Sequence, residues 1–139
     1  MKLTIIFATV LVTVTGMFGC ADSTKAVLES ENQVKLRSMQ SRRFETNDKE
    51  KALRVAMATL QDLGFVIDKA DLTLGSISGT KLDRYAVRIT TTVRPYGEDQ
   101  IIVRANAQYD TKAIEVPEPY QQFFAAYEKA MFLTAHNVD

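Results

Sequence analysis

The chain has 139 residues, and its 17 lysines and arginines balance its 17 aspartates and glutamates. That balance, together with the lack of any dense basic stripe, argues against a nucleic-acid partner. The length fits one ordinary domain that buries a core without disulfides, and the sequence contains no internal repeat or low-complexity segment.

The first 19 residues have the order of a secretory signal. Lys2 supplies a positive start, residues 3–14 are almost entirely apolar, and small residues around Gly16 lead to Cys20, the only cysteine. The apolar run is shorter than the roughly 20 residues needed to span a bilayer. We therefore expect a cleaved signal peptide over 1–19. Plain secretion without lipid and an uncleaved anchor stay open as alternatives.

The stretch Met17-Phe18-Gly19-Cys20 resembles the signal of bacterial lipoproteins, in which the cysteine becomes the first mature residue. The resemblance implies that Cys20 carries acyl chains, palmitate among them, and several chains together hold a protein firmly at a membrane. An exported chain without a possible internal disulfide fits this use of its cysteine. Ala21 follows, where lipoproteins of this type that stay at the inner membrane have Asp. The implied location is the periplasmic face of the outer membrane.

Residues 20–32 are polar with little periodicity, and we expect them to be a lipid-anchored tether in front of one α+β domain over 33–139. From Val34 to Thr46, alternate residues share one face of an extended chain with a polar middle, which predicts an edge strand.

The clearest helical pattern follows this predicted strand. Asn47 and Glu50 form a capping-box-like pair, apolar residues recur at helical spacing as far as Leu63, and Gly64 ends the helix. A short apolar run over 65–67 then predicts a strand directly after a tight turn.

Three further runs, over 74–81, 85–93 and 101–109, alternate with a period of two, and a turn over 95–99 separates the last two. Such alternation predicts an antiparallel sheet with one buried face and one solvated face. A second helix is predicted after Pro117 and Pro119. Its apolar stripe consists of Tyr120, Phe123, Phe124, Tyr127 and Met131.

The predicted fold is α+β in the order β-α-β-β-β-β-α, an antiparallel sheet of about four to five strands with two helices packed on one face. This layout resembles the helix-grip domains of BamC-type outer-membrane assembly lipoproteins. Residues 58–70 and the tail over 120–135 resemble a group of small bacterial lipoproteins without an assigned activity. The resemblance implies a fold and an envelope location, and it carries over no functional residue.

Residues suited to catalysis are scarce. His136 is the only histidine and lies near the C-terminus, while Cys20 is assigned to lipid. An enzyme needs a nucleophile, a base and an orienting group in one place. Asp62, Asp68 and Asp71 form the nearest acidic cluster, where a solvated turn is favoured over a weak calcium site. We therefore expect no enzyme activity, no catalytic residue, no metal and no cofactor.

One polar sheet face is the candidate functional surface. It is rich in hydrogen-bond donors, and arginine suits carboxylate and phosphate groups. An acidic partner protein, a glycan strand or lipid headgroups would fit it, and an ordinary solvated sheet face is the alternative. The predicted face consists of Arg88, Thr90, Thr92, Arg94, Arg104, Asn106 and Gln108, and Ser76, Ser78 and Thr80 extend it.

These observations predict a non-catalytic, membrane-anchored lipoprotein that acts as an accessory or adaptor in a bacterial cell-envelope complex. The expected partners are the membrane, through lipid on Cys20, and an envelope protein, but no nucleic acid. The alternative is a periplasmic small-ligand or glycan-binding module that uses a cleft between helices and sheet. The light strand around Gly75 and Gly79 could leave room for such a cleft.

Overall fold

An antiparallel sheet with helices against one face forms the body of the protein. The computed structural model describes residues 21–82 and 84–136. Along this part of the chain the elements are α1 (Ala21–Gln40), β1 (Ser41–Phe44), α2 (Lys49–Asp62), β2 (Val66–Asp71), β3 (Ser76–Leu82), β4 (Ala86–Tyr96), β5 (Gln100–Tyr109), β6 (Lys112–Ala113) and α3 (Glu118–His136).

The sheet order is β1-β5-β4-β3-β2, and the two-residue β6 also pairs with β5. All of these pairings are antiparallel. Strand β1 lies beside β5 although α2 and three strands separate them in sequence, so the chain crosses the sheet through α2. The predicted α+β class with an antiparallel sheet is confirmed.

Helix α2 forms where the sequence predicts it, with a different first residue. Asp48 is the N-cap, and its side chain accepts a hydrogen bond from the backbone N–H of Lys51 at 2.9 Å, which replaces the predicted cap at Asn47. At the other end, Gly64 adopts a positive φ of 84°, a conformation that favours glycine. The buried face of α2 includes Leu53 and Leu60.

The aromatic stripe of α3 is buried in the core. Tyr127 contacts two other aromatic rings: its ring lies 5.0 Å edge-on from that of Phe44 in β1 and stacks at 5.7 Å on that of Phe123. The Tyr127 hydroxyl donates to the backbone carbonyl of Ala52 in α2 at 3.1 Å. One side chain therefore joins α3 to both α2 and β1.

The N-terminal part of the domain differs from the prediction. A strand was expected from Val34, but α1 continues to Gln40 and β1 begins only at Ser41. Within residues 34–40 of the predicted strand, Leu36, Met39 and Gln40 are the residues turned to the domain, and their spacing of three and four residues is that of one side of a helix. The predicted order therefore lacks α1 at its start and the short β6.

The predicted boundary between the tether over 20–32 and the domain over 33–139 falls inside α1. The predicted signal peptide over 1–19 and the lipidation site Cys20 lie outside the described residues. Within residues 21–82 and 84–136, no helix combines the length and the hydropathy needed to cross a membrane.

The buried hydroxyl of Tyr127 predicts a pH dependence of stability. Burial raises the pKa of Tyr127 above its ordinary value of 10.0. The unfolded chain therefore ionises this group first, and the stability it contributes is present below about pH 10 and decreases as the pH rises further. At neutral pH, Tyr127→Phe is expected to lower the free energy of unfolding by about 1 kcal/mol through loss of the hydrogen bond to Ala52.

The difference in the free energy of unfolding between wild type and Tyr127→Phe should decrease when urea unfolding is measured at increasing pH, from about 8 to 11. Tyr85→Phe, which removes an exposed phenol, is the control for the loss of one tyrosine. A difference that stays constant or widens over this range would contradict the assignment.

Candidate functional site

The seven predicted polar residues lie together on the side of the sheet opposite α2 and α3. In the register of β4 with β5, Thr90 pairs with Asn106, Thr92 with Arg104, and Arg88 with Gln108. Their neighbours along each strand, such as Ile89 and Val103, are buried on the other side. We call this set, with Arg94, the polar sheet face. Ser76, Ser78 and Thr80 of β3 pair with its β4 residues and extend it.

A further arginine joins this face from β1. Arg43 and Arg94 both pair with Ile102 of β5, one from each side, and Arg104 lies two residues further along β5. The guanidinium of Arg43 lies 4.6 Å from the ring centre of Tyr96. We call Arg43, Arg94 and Arg104 the three-arginine cluster. Sequence reasoning missed Arg43, because only the long-range pairing of β1 with β5 places it there.

The cluster carries positive charge without a matching carboxylate. Three ion pairs within 4.0 Å occur in the described residues, and they use Arg42, Arg54 and Arg88. Arg88 lies 3.6 Å from Asp68, so the acidic edge of the sheet partly neutralises that end of the polar sheet face. The positive charge of the face is consequently concentrated around Ile102.

A shallow concavity of about 410 Å³ lies over this region. It is lined by Ser41, Thr90, Thr92, Arg94, Ile102, Arg104 and Asn106. A larger depression of about 690 Å³ adjoins it along β1, and Arg43 lies there. The other charges of that depression, Arg42 and Glu128, pair with each other at 3.5 Å. The smaller concavity therefore has the stronger uncompensated charge.

Gln40, the last residue of α1, fixes two side chains of the polar sheet face. It is only 2% exposed. Its Nε2 donates to Asn106 Oδ1 at 2.9 Å and to the Tyr120 hydroxyl at 3.3 Å, and its Oε1 accepts from Arg104 Nη2 at 3.3 Å. The same tyrosine hydroxyl donates to the carbonyl of Ile114. One glutamine thus connects α1, the sheet face and α3, and no local sequence signal identifies it.

Neighbouring atoms fill the space beside Gly75, in the turn before β3, and beside Gly79, within β3. A Cβ atom on Gly75 would lie 2.5 Å from the Val93 carbonyl oxygen and 2.6 Å from Lys49, and one on Gly79 would lie 3.2 Å from Phe65. The backbone at both glycines therefore lies directly against neighbouring atoms, and the ligand-binding cleft stays a prediction.

A cavity of about 200 Å³ remains between helices and sheet, below the 300–1,000 Å³ typical of small-molecule sites. Lys81, at its edge, donates to the carbonyl of Leu63 at 2.9 Å and so closes the C-terminal end of α2.

The predicted acidic residues serve separate local roles. Asp68 accepts a hydrogen bond from Thr80, and Asp71 accepts one from the backbone N–H of Leu74 in a turn. In the described part of the chain, no three His, Cys, Asp or Glu side chains are grouped as metal ligands. The exposed His136 ring lies against Phe132, 4.1 Å between ring centres.

Comparison with protein-family models and with curated proteins gives no match to this chain. The resemblance to small outer-membrane lipoproteins and to BamC-type domains stays a prediction.

Gln40→Leu is expected to lower the free energy of unfolding by about 2 kcal/mol, because it removes hydrogen bonds from the buried Tyr120 hydroxyl, Asn106 and Arg104. Gln33→Leu makes the same chemical change at an exposed position of α1 and should alter stability by no more than about 0.5 kcal/mol. Urea unfolding of both variants measures the difference, and equal effects would contradict the role of Gln40.

Proposed function

We propose that this protein is a non-catalytic lipoprotein of the bacterial cell envelope that acts as an accessory or adaptor, anchored by lipid on Cys20 at the periplasmic face of the outer membrane. It docks an envelope protein through the polar sheet face. The observation that carries this proposal is the uncompensated charge of Arg43, Arg94 and Arg104 beside Ile102, on a face that neither α2 nor α3 covers.

The position of α1 supports the same function. This helix begins directly after Cys20 and has 20 residues, which corresponds to about 30 Å of α-helix. Residues 29–35 are exposed on every side of the helix, so little of this stretch is covered by the domain. With lipid on Cys20, α1 is a spacer that holds the polar sheet face away from the bilayer surface, where a partner reaches it.

Lipid attachment is tested by metabolic labelling with palmitate. We expect label on the wild-type protein in the envelope fraction and none on Cys20→Ser, because the thiol is the only cysteine available for acylation. Mass spectrometry of the wild-type N-terminus should identify Cys20 as the first residue. An unlabelled wild-type protein, or one that starts at another residue, would refute the anchor.

Docking is tested by photocrosslinking in cells, with the crosslinker at position 90 or 106 of the polar sheet face. One dominant envelope protein is expected, and its yield should fall at least about tenfold when Arg94 and Arg104 are both changed to Glu, since like charges at an interface cost several kcal/mol. The exposed positions 61 and 125, on the helices, are the control sites.

Arg54→Glu is the matched charge reversal, because Arg54 is exposed on α2 away from the sheet face. Diffuse crosslinks with the same pattern from positions 61 and 125 would mean that the polar sheet face is ordinary solvated surface. Loss of the crosslink in Arg54→Glu as well would mean that net charge, rather than this face, governs docking.

A further inference from the structure

The register of three strands brings the arginines of the cluster close to one point. Neighbouring strands lie about 4.8 Å apart and successive residues about 3.4 Å, so the Cα atoms of Arg43, Arg94 and Arg104 fall within about 10 Å of one another. All three belong to the same sheet face, around Ile102. Arg94 and Arg104 line the same concavity, and Arg43 lies in the adjoining depression, with Ile102 lining both.

Two of the three guanidinium groups are held in place. Arg104 donates to Gln40, whose own position is fixed by Asn106 and the buried hydroxyl of Tyr120. The guanidinium of Arg43 lies over the ring of Tyr96. Each contact uses only part of the group's five N–H donors, so several donors stay free. Holding donors in place before a ligand arrives lowers the entropy cost of binding.

The chemistry of the concavity favours phosphate over carboxylate. A carboxylate is planar and is satisfied by one guanidinium fork, whereas the unbridged oxygens of a phosphate, two in a diester and three in a monoester, lie on a tetrahedral centre and accept from arginines in different directions. Ser41, Thr90, Thr92 and Asn106 line the same concavity and supply neutral hydrogen-bonding groups. Such groups suit hydroxyls next to the phosphate. The volume of about 410 Å³ lies within the range of small-ligand sites.

We propose that Arg94 and Arg104, with Arg43 at the border of the concavity, form a binding site for the phosphate group of a hydroxyl-bearing ligand, a phosphorylated polyol or sugar. The ligand is either soluble or the headgroup of a phospholipid, since both present a phosphate ester beside hydroxyl groups. This site goes beyond the adaptor function, because phosphate binding requires no protein partner.

The test is a calorimetric titration of the full-length protein in a non-ionic detergent with inorganic phosphate and with glycerol 3-phosphate. We expect saturable binding of both, and tighter binding of glycerol 3-phosphate because of its hydroxyls. Arg94→Gln and Arg104→Gln should each weaken binding about tenfold, as expected for the loss of hydrogen bonds to a charged group. Arg94→Lys keeps the charge but lacks the planar fork, and it should bind with intermediate affinity.

Arg54→Gln is the matched control, since it removes one exposed arginine from the opposite side of the domain. Equal weakening in Arg54→Gln, or no saturable binding by the wild type, would overturn the site. Succinate that binds as tightly as glycerol 3-phosphate would also overturn it, in favour of docking by acidic side chains. Phosphate-induced protection against thermal unfolding, measured on the same variants, separates lost binding from lost folding.

Titration with micelles that contain phosphatidylglycerol distinguishes a phospholipid headgroup from a soluble phosphate ester as the ligand. Tighter binding there than to glycerol 3-phosphate at equal phosphate concentration supports a lipid headgroup, and equal binding supports a soluble ester. Phosphate binding by the protein is measured independently of the crosslinking experiment. A protein crosslinked to position 90 or 106 without any phosphate binding would leave the adaptor function standing and the phosphate site refuted.

Discussion

The structure depends on the packing of the aromatic stripe of α3 against the inner face of the sheet. Tyr127 contacts the ring of Phe44 from β1 and the backbone of α2 at Ala52, and it stacks on Phe123. These contacts bring together segments that are distant in sequence, with Phe44 and Tyr127 separated by 83 positions. Tyr127 and Phe123 have no exposed surface, so this cluster supplies much of the hydrophobic stabilisation of the domain.

This packing also determines what the other side of the sheet presents. Side chains along a strand alternate between its faces, and a shift of register by one residue would exchange them. Because Ile89 and Val93 of β4 are buried beneath the helices, Arg88, Thr90 and Arg94 must point away from them. The polar sheet face is thus a consequence of the core, because the buried residues of each strand determine which residues lie on the opposite side.

The parts of the fold that sequence reasoning predicted are those with a local signal. Alternation over β4 and β5 separated the buried Val103 from the polar Arg104, and helical spacing located α2 and α3. The parts it missed depend on distant contacts. Residues 34–40 are compatible with a helix or an edge strand, and distant contacts decide between them, since Leu36 and Met39 pack against the core and Gln40 bonds to Asn106, 66 positions away. Arg43 joined the face through pairing with Ile102, which no local pattern encodes.

Gln40 links α1, which follows the predicted lipid anchor, to the polar sheet face. An apolar side chain at this buried site would leave Asn106, the Tyr120 hydroxyl and Arg104 each without one partner, and half-satisfied buried networks are destabilising. The glutamine instead makes the last turn of α1 part of the support of Arg104 and Asn106. The orientation of this helix, which begins next to the predicted lipid anchor, is therefore tied to the position of an arginine in the candidate binding site. Without this glutamine, α1 would be attached to the domain through apolar contacts such as those of Leu36 and Met39, and Arg104 would be free to adopt other rotamers.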